Sequence, residues 1–549
     1  MNGLVTRCLG MSLLLASCKF GSKSGSATKD TTLEKGTTCA AIRGNGPRIF
    51  SHFGALADLA EKKDIPLISG IAGGSSVTIT AFLYESIIKN PLIDGANEDD
   101  KRKFISLLLK SLEWLPSFVG NSKPFQSIIQ FRTAALELQK QATAAGVTPT
   151  PPTNSEAVQA QLASLQKILS DPENKPIADI VNPELVKFIA EGLLPTASPE
   201  LKQFRLQEAR AALFEFGQFS AKNPNIMFRP GLFNFDVFAQ WMGFLGGFYS
   251  GMGMNQDFWT KFTSQCSKLT QPGKLFSETN MGSCQADYSA ALDSYLKSES
   301  KVDRSSENVG ATLNTLIGVS RTKNGDAIER FTNLKRDYRL GKPLPQEAKV
   351  VDDFESVEFA FFGNDDALNK LKAAKDSNKL DPYWSKVTTI PKSENPSVGT
   401  WHQALKHSPA EPGLDSAHIV SSSEIYFGGW SALFPVDALT TIGCDNVVFI
   451  TRPVDVLKTT EFARDIARLL GNTNEMDQAL YDPTNEKSSF RQNLSRARWV
   501  QCVDWDNKPK EVSSLEAFST LMKTGYSENL GLFEIEGRAI NPNVPDGCK

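Results

Sequence analysis

The chain has 549 residues, 40% hydrophobic and 22% charged, which is enough apolar material for a sizeable core and argues against wholesale disorder. Lys plus Arg number 59 against 62 Asp plus Glu, a formal net charge of −3. No basic excess exists to neutralise phosphates, so a dedicated nucleic-acid binder is disfavoured. The histidines (His52, His402, His407 and His418) form no HExxH spacing, the cysteines form no CxxC pair, and no GxxxxGK[ST] run occurs. A structural zinc site and a P-loop nucleotide site are therefore not expected. The length suits two to four domains, or one large domain with insertions.

Residues 1–17 carry one charged side chain, Arg7, followed by an apolar stretch from Cys8 to Ala16 that is too short to span a bilayer. Leu15-Ala16-Ser17-Cys18 then resembles a bacterial lipoprotein signal, in which small residues precede the cysteine that receives the lipid. The expectation is a signal peptide over 1–17, lipidation at Cys18 and a flexible Ser/Gly/Thr/Lys-rich tether over 18–37. This makes the membrane a partner through an N-terminal lipid anchor in the cell envelope. Lys19 after the cysteine implies outer-membrane sorting in the enterobacterial pattern. With Cys8 removed and Cys18 lipidated, Cys39, Cys266, Cys284, Cys444, Cys502 and Cys548 remain, an even set suited to disulfides in an oxidising compartment. Cys266 with Cys284 closes the shortest loop. Fifteen pairings exist in principle, and buried thiols are the alternative.

Residues Thr38–Leu59 read as strand, glycine-rich turn and helix. As a dinucleotide fingerprint the turn fails, because Ile49 stands where a third glycine belongs. The layout repeats with a strand over Pro66–Ile71, a tight turn over Ala72–Ser76 and a helix from Val77, with Ser75 at the sharp point. Such a turn projects its central side chain from the sheet edge and aims helix N-terminal amides at the same spot, as acyl transfer requires.

This pair of turns resembles the patatin-like phospholipase family. Its GGGxRG-type loop is similar to Gly44-Asn45-Gly46-Pro47-Arg48-Ile49, followed by His52 and Gly54. Its GTSAG motif is similar to Gly73-Gly74-Ser75-Ser76-Val77, with Ile79, Thr80, Ala81, Leu83 and Tyr84 after it. A third block, "raiaASpaiPg…yvDGG…nPv", is matched by Ala404, Ser408-Pro409, Pro412-Gly413, Tyr426, Gly428-Gly429 and Pro435-Val436, and Gly443–Ile450 looks like the strand that follows. The likeness covers roughly residues 38–90 and 225–460. It implies an α/β fold, Ser75 as the nucleophile position, an oxyanion loop at Gly44, Asn45, Gly46, Pro47 and Arg48, a lipid or acyl-ester substrate, and no cofactor or metal.

Three departures touch the chemistry. The family's dyad aspartate comes from Asp-Gly-Gly, where this chain has Phe427-Gly428-Gly429, and phenylalanine cannot accept a proton. Val77 replaces a glycine behind the nucleophile, so the close strand–helix packing of the elbow must loosen or adjust. Ile49 replaces the last glycine of the oxyanion loop. Asp415 and Asp437 lie in adjoining connections as substitute acids, whereas Glu424 should point to the face opposite Phe427. His52 is expected to pack or cap, and His402, His407 and His418 to be structural. Arg48 orients its loop or meets an anionic head group, unless it is simply a solvated charge. Two functions stand open: a membrane-anchored lipid acyl hydrolase with a degenerate dyad, and a non-catalytic descendant that binds lipid or a protein partner.

The remaining chain is expected to hold a helical insertion over 91–224, with helices from Asn97 and Ser155 and over 183–194 and 199–219, a Pro/Thr/Ala-rich hinge over 143–155, and a patatin-like α/β body over 38–90 and 225–549. Residues 237–254 carry no charge but are broken by glycines, which reads as core or acyl-binding wall. ARWVQCVDWD reads as a strand and Ser513–Phe533 as a helix.

Overall fold

The structure is a computed structural model that describes residues 36–44, 49–115, 118, 167, 171, 198, 235–253, 256–267, 282–322, 358–377, 387–389, 399–410, 418–421, 424–428, 435–452, 494–504, 528–535, 543–545 and 548. The leader, Cys18, most of the tether, the hinge, and the expected helices from Ser155, over 183–194 and over 199–219 lie outside the described residues, single positions apart.

The elements run β1 (Thr38–Ile42), α1 (Phe50–Glu61), β2 (Ile68–Gly74), α2 (Ser76–Ile88), α3 (Glu98–Ser111), α4 (Phe235–Tyr249), α5 (Gln256–Cys266), α6 (Gly282–Lys297), β3 (Asn314–Thr322) and β4 (Glu358–Gly363). There follow α7 (Asp365–Asp376), β5 (Val387–Thr389), α8 (Trp401–His407), β6 (His418–Ser421), β7 (Glu424–Phe427), α9 (Val436–Ile442), β8 (Asn446–Thr451), β9 (Trp499–Asp504) and β10 (Glu528–Glu534).

The fold is α/β around a mixed, mostly parallel sheet with the order β10-β9-β8-β1-β2-β3-β4-β5. Strands β9, β8, β1, β2 and β3 are parallel to one another, β10 and β4 are antiparallel to their neighbours, and β5 is parallel to β4. Strands β1 and β8 are buried along their whole length. Their near-continuous apolar sequences, TCAAI and NVVFIT, suit parallel strands covered on both faces. Alternate residues of β1 enter different cores. Ala40 and Ile42 join α1, α2, α3 and α4 on one face, whereas Cys39 and Ala41 join α7 and α9 on the other.

The chain lays down β1, β2 and β3 in one direction and later returns to add β8 on the other side of β1. Such a reversal leaves a crevice at the carboxyl ends of the strands, the usual ligand position in open α/β sheets. The loop after β1 and the turn after β2 both lie at that end.

Three boundaries differ from the sequence expectation. Strand β2 runs to Gly74 and α2 starts at Ser76, so the turn expected over Ala72–Ser76 shrinks to one residue. The stretch expected as a helix over Ser513–Phe533 ends in strand β10 from Glu528. There Gly531, at a φ of +132°, sits at a register shift against β9, and a glycine of that conformation does not continue a helix. Helix α3, at the start of the expected insertion, packs into the main core. Arg102 Nη1 donates to the carbonyls of Ala60 and Lys62 at 3.3 and 2.8 Å, and Leu107, Leu108 and Leu109 are buried.

Helix α4 occupies much of the uncharged 237–254 stretch and is buried through Phe238, Trp241, Met242, Leu245 and Phe248. Among the described residues, no helix is long and apolar enough to cross a membrane. All six cysteines of the body are paired: Cys39–Cys444, Cys266–Cys284 and Cys502–Cys548. The shortest of these loops, Cys266–Cys284, joins α5 to α6.

Candidate active site

The turn between β2 and α2 reverses the chain in a single residue. Ser75 takes φ 58° and ψ −122°, and it is the one non-glycine residue at positive φ among the described residues. An L side chain is strained there, at a cost of about 1–3 kcal/mol. The strain follows from how closely α2 folds back over β2. A Cβ on Gly73 would lie 2.5 Å from Val77 Cγ1 and 2.7 Å from the Ile42 carbonyl oxygen. Val77 is itself completely buried. Of the two outcomes expected from Val77, the packing adjusts and does not loosen: the bare Gly73 backbone supplies the room that a glycine at 77 would otherwise give.

Gly44, the first residue of the expected oxyanion loop, lies against this elbow. A Cβ there would meet the Gly74 carbonyl oxygen at 2.9 Å and Ser75 Cβ at 3.6 Å. Asn45, Gly46, Pro47 and Arg48 lie outside the described residues. Ile49 is buried in the core, so apolar burial anchors the far end of the loop where a glycine was the family expectation. The Ser75 side chain, at the N-cap of α2, makes no capping bond, and the helix N-terminal dipole is aimed at the elbow.

His52 holds these pieces together. It is buried on α1, with Nε2 3.1 Å from the Arg43 carbonyl oxygen and Nδ1 2.9 Å from Thr80 Oγ1. A carbonyl can only accept, so Nε2 carries the hydrogen and Nδ1 accepts from the threonine hydroxyl. Burial pulls the imidazole down to about 3, opposed by the Arg43 bond and helped by the Arg452 charge. His52 is thus a neutral strut joining α1, α2 and the start of the glycine loop, in line with the packing role expected.

The third block reaches the same place by strand pairing. Gly74 pairs with Gly318 on β3, and Phe427 of β7 pairs antiparallel with Ser320, two residues further along. Strand β4 occupies the other edge of β3 over the same residues. Strand β7 therefore takes over the edge that β2 leaves at the elbow, with the Phe427 backbone roughly 7 Å beyond Gly74 along the strand direction. Gly428 follows at φ 62°, and Gly429 lies outside the described residues.

Ser408, at the end of α8, fills the gap between β2 and β7. Its hydroxyl accepts from the Ser75 amide at 2.9 Å and donates to the Gly318 carbonyl at 2.7 Å. In the sequence Ser408 stands in the third block, where the resemblance implies no role for it. A hydroxyl followed by Pro409 at a helix end was the visible signal, but its partners are 333 and 90 residues away.

No carboxylate or imidazole bonds Ser75 Oγ among the described residues. Asp437 is buried and its carboxylate is engaged by Arg496, which removes it as a ready substitute base. Asp415 lies outside the described residues, as do the side chains of Glu424 and His418. His407 is buried, with Nε2 2.7 Å from Gln403 Oε1 and its ring edge-on to Tyr426. His402, for which the sequence offered no partner, has one: its Nε2 lies 3.0 Å from Asp236 Oδ1, which also accepts from Lys406 at 2.8 Å.

Comparison with protein-family models, with curated proteins and with solved structures found no match.

Proposed function

We propose that the protein is a patatin-like serine acyl hydrolase of the bacterial cell envelope, acting on a lipid or other acyl ester through Ser75. The observation that carries this reading is the strained Ser75 elbow. A side chain at that φ costs stability that a glycine would not, and the cost has a use if the hydroxyl must stand at a helix N-terminus beside a glycine loop. On this reading Ser75 Oγ attacks the ester carbonyl carbon, and amides of the Gly44–Arg48 loop stabilise the oxyanion. The C–O bond of the ester then breaks and the alcohol leaves with a proton. Water next cleaves the acyl-serine and returns a proton to Oγ, so the cycle balances without a cofactor. Phe427 cannot take the serine proton, so solvent takes it in the first step. Turnover is accordingly slow and rises with pH.

The paired body cysteines support export to an oxidising compartment, and the proposed anchor is a lipid on Cys18. Phe427 also favours a second reading, in which the cleft has lost catalysis and binds lipid or a protein partner.

Hydrolysis of p-nitrophenyl esters of increasing chain length by the purified protein distinguishes the two. The hydrolase reading expects slow release that disappears in Ser75→Ala and rises about 10²-fold or more in Phe427→Asp, the scale of general-base help. Equal background rates in wild type, Ser75→Ala and Phe427→Asp would leave only the binding reading.

A further inference from the structure

The Ser75 amide and the Gly318 carbonyl lie where a parallel ladder stops. Strand β2 ends at Gly74, paired with Gly318, and β7 joins the same edge of β3 at Ser320. Between them a backbone N–H and a backbone C=O are left without ladder partners, and a buried unpaired group of this kind typically costs about 1–3 kcal/mol. One completely buried hydroxyl satisfies both, by accepting from Ser75 and donating to Gly318.

Resting on the hydrolase reading, we propose that Ser408 is the positioning residue of the elbow: its hydroxyl takes the place of a ladder partner and holds the Ser75 backbone at left-handed φ. Two consequences follow from the geometry. The strained conformation is maintained from outside the turn, by a residue of the third sequence block, so the two blocks form one device. The Ser75 amide is also occupied, which removes it as an oxyanion donor. The donors must then be amides of the glycine loop or of the start of α2. This differs from sites in which the nucleophile's own N–H serves.

The test uses the purified full-length protein and the variants Ser408→Ala, Ser408→Cys and Ser408→Thr, with thermal melts to confirm folding. Two readouts are taken: the φ of residue 75 in crystal structures, and fluorophosphonate inactivation resolved into a binding constant and a limiting rate. In Ser408→Ala the expected results are a residue 75 that has left the left-handed region and a limiting rate lower by about 100-fold, the scale of a small misplacement of a reacting group. The binding constant stays unchanged. Ser408→Thr keeps the hydroxyl and restores both readouts. Ser408→Cys, close in shape but weak in hydrogen bonding, behaves like Ser408→Ala and decides the matter if the alanine variant does not fold. Residue 75 remaining at its wild-type φ in both the alanine and cysteine variants overturns the proposal, whatever the kinetics. If wild type is not labelled at all, the hydrolase reading fails, and the φ of residue 75 alone decides the role of Ser408.

Discussion

At the scale of single residues, Ser75 and Glu85 carry opposite kinds of cost on one helix. The strain at Ser75 belongs to its Cβ, so it persists in Ser75→Ala and is relieved in Ser75→Gly. Allowing for the larger unfolded-state entropy of glycine, Ser75→Gly should be more stable than Ser75→Ala by about 1 kcal/mol, read as a higher denaturation midpoint. An ordinary turn would give the reverse order. Glu85 is buried on α2 and accepts from Thr315 Oγ1 at 2.8 Å. Burial pushes its carboxyl up to about 7, against the Thr315 bond, the charges of Arg304 and Lys89 and the Trp401 indole N–H. A raised pKa gives stability that is fully present below the ordinary value of 4.5 and is lost as pH rises through about 7. His52 has the opposite sign: its contribution is present above its ordinary 6.5 and is lost as pH falls toward about 3. The two slopes oppose each other where the windows overlap, from about pH 4.5 to 6.5, so Glu85→Gln isolates one of them. Chemical denaturation should find the variant more stable than wild type at pH 8, by on the order of 3 kcal/mol, with the two converging near pH 4.5. A difference independent of pH would show that Glu85 does not titrate in this range.

At the scale of elements, the elbow depends on contact between β2 and α2. Gly73→Ala puts a methyl group into Val77 and the Ile42 carbonyl and should destabilise the protein by about 1–3 kcal/mol. Adding Val77→Ala should recover only part of the loss, because the clashes with the Ile42 carbonyl oxygen and with the Cβ at 77, each at 2.7 Å, remain. Full recovery would mean that the Val77 γ-methyl contact alone limits the turn. The strand–turn–helix units were legible in the sequence because short apolar runs, glycines and helical spacing occur together at 38–61 and 66–88. The one-residue width of the turn was not legible, since Ala72-Gly73-Gly74 carries no strand-forming side chains and is held extended by pairing with β1 and β3. The end of the Ser513–Phe533 stretch misled for the converse reason: its apolar spacing is helical, but the edge of β9 recruits Glu528–Glu534 as an antiparallel strand, and 513–527 lie outside the described residues.

At the scale of the molecule, sequence order and spatial order part company at the sheet edge of β3. The resemblance placed Phe427 in a catalytic slot by motif, and strand register sets its backbone just past the elbow. The role of Ser408 needed that register to become visible. The Cys39–Cys444 disulfide works over a similar span, closing 405 residues of chain beside the paired strands β1 and β8. Replacing both cysteines by serine should lower stability by about 2–5 kcal/mol, measured by denaturant titration. An unchanged midpoint would mean that the sheet alone holds that junction. Fractionation of the producing cells tests the proposed anchor. Cys18→Ser should move the protein out of the membrane fraction, and retention there would require another means of attachment.

In the proposed mechanism Ser75 is a nucleophile facing a glycine-loop oxyanion hole. The most direct measurement is a crystal structure of the protein after reaction with a fluorophosphonate. Phosphorus is expected bonded to Ser75 Oγ, with a phosphonyl oxygen within hydrogen-bond distance of an amide of the Gly44–Arg48 loop or of the start of α2. An unmodified Ser75, or an adduct whose phosphonyl oxygen points away from both sets of amides, would contradict it.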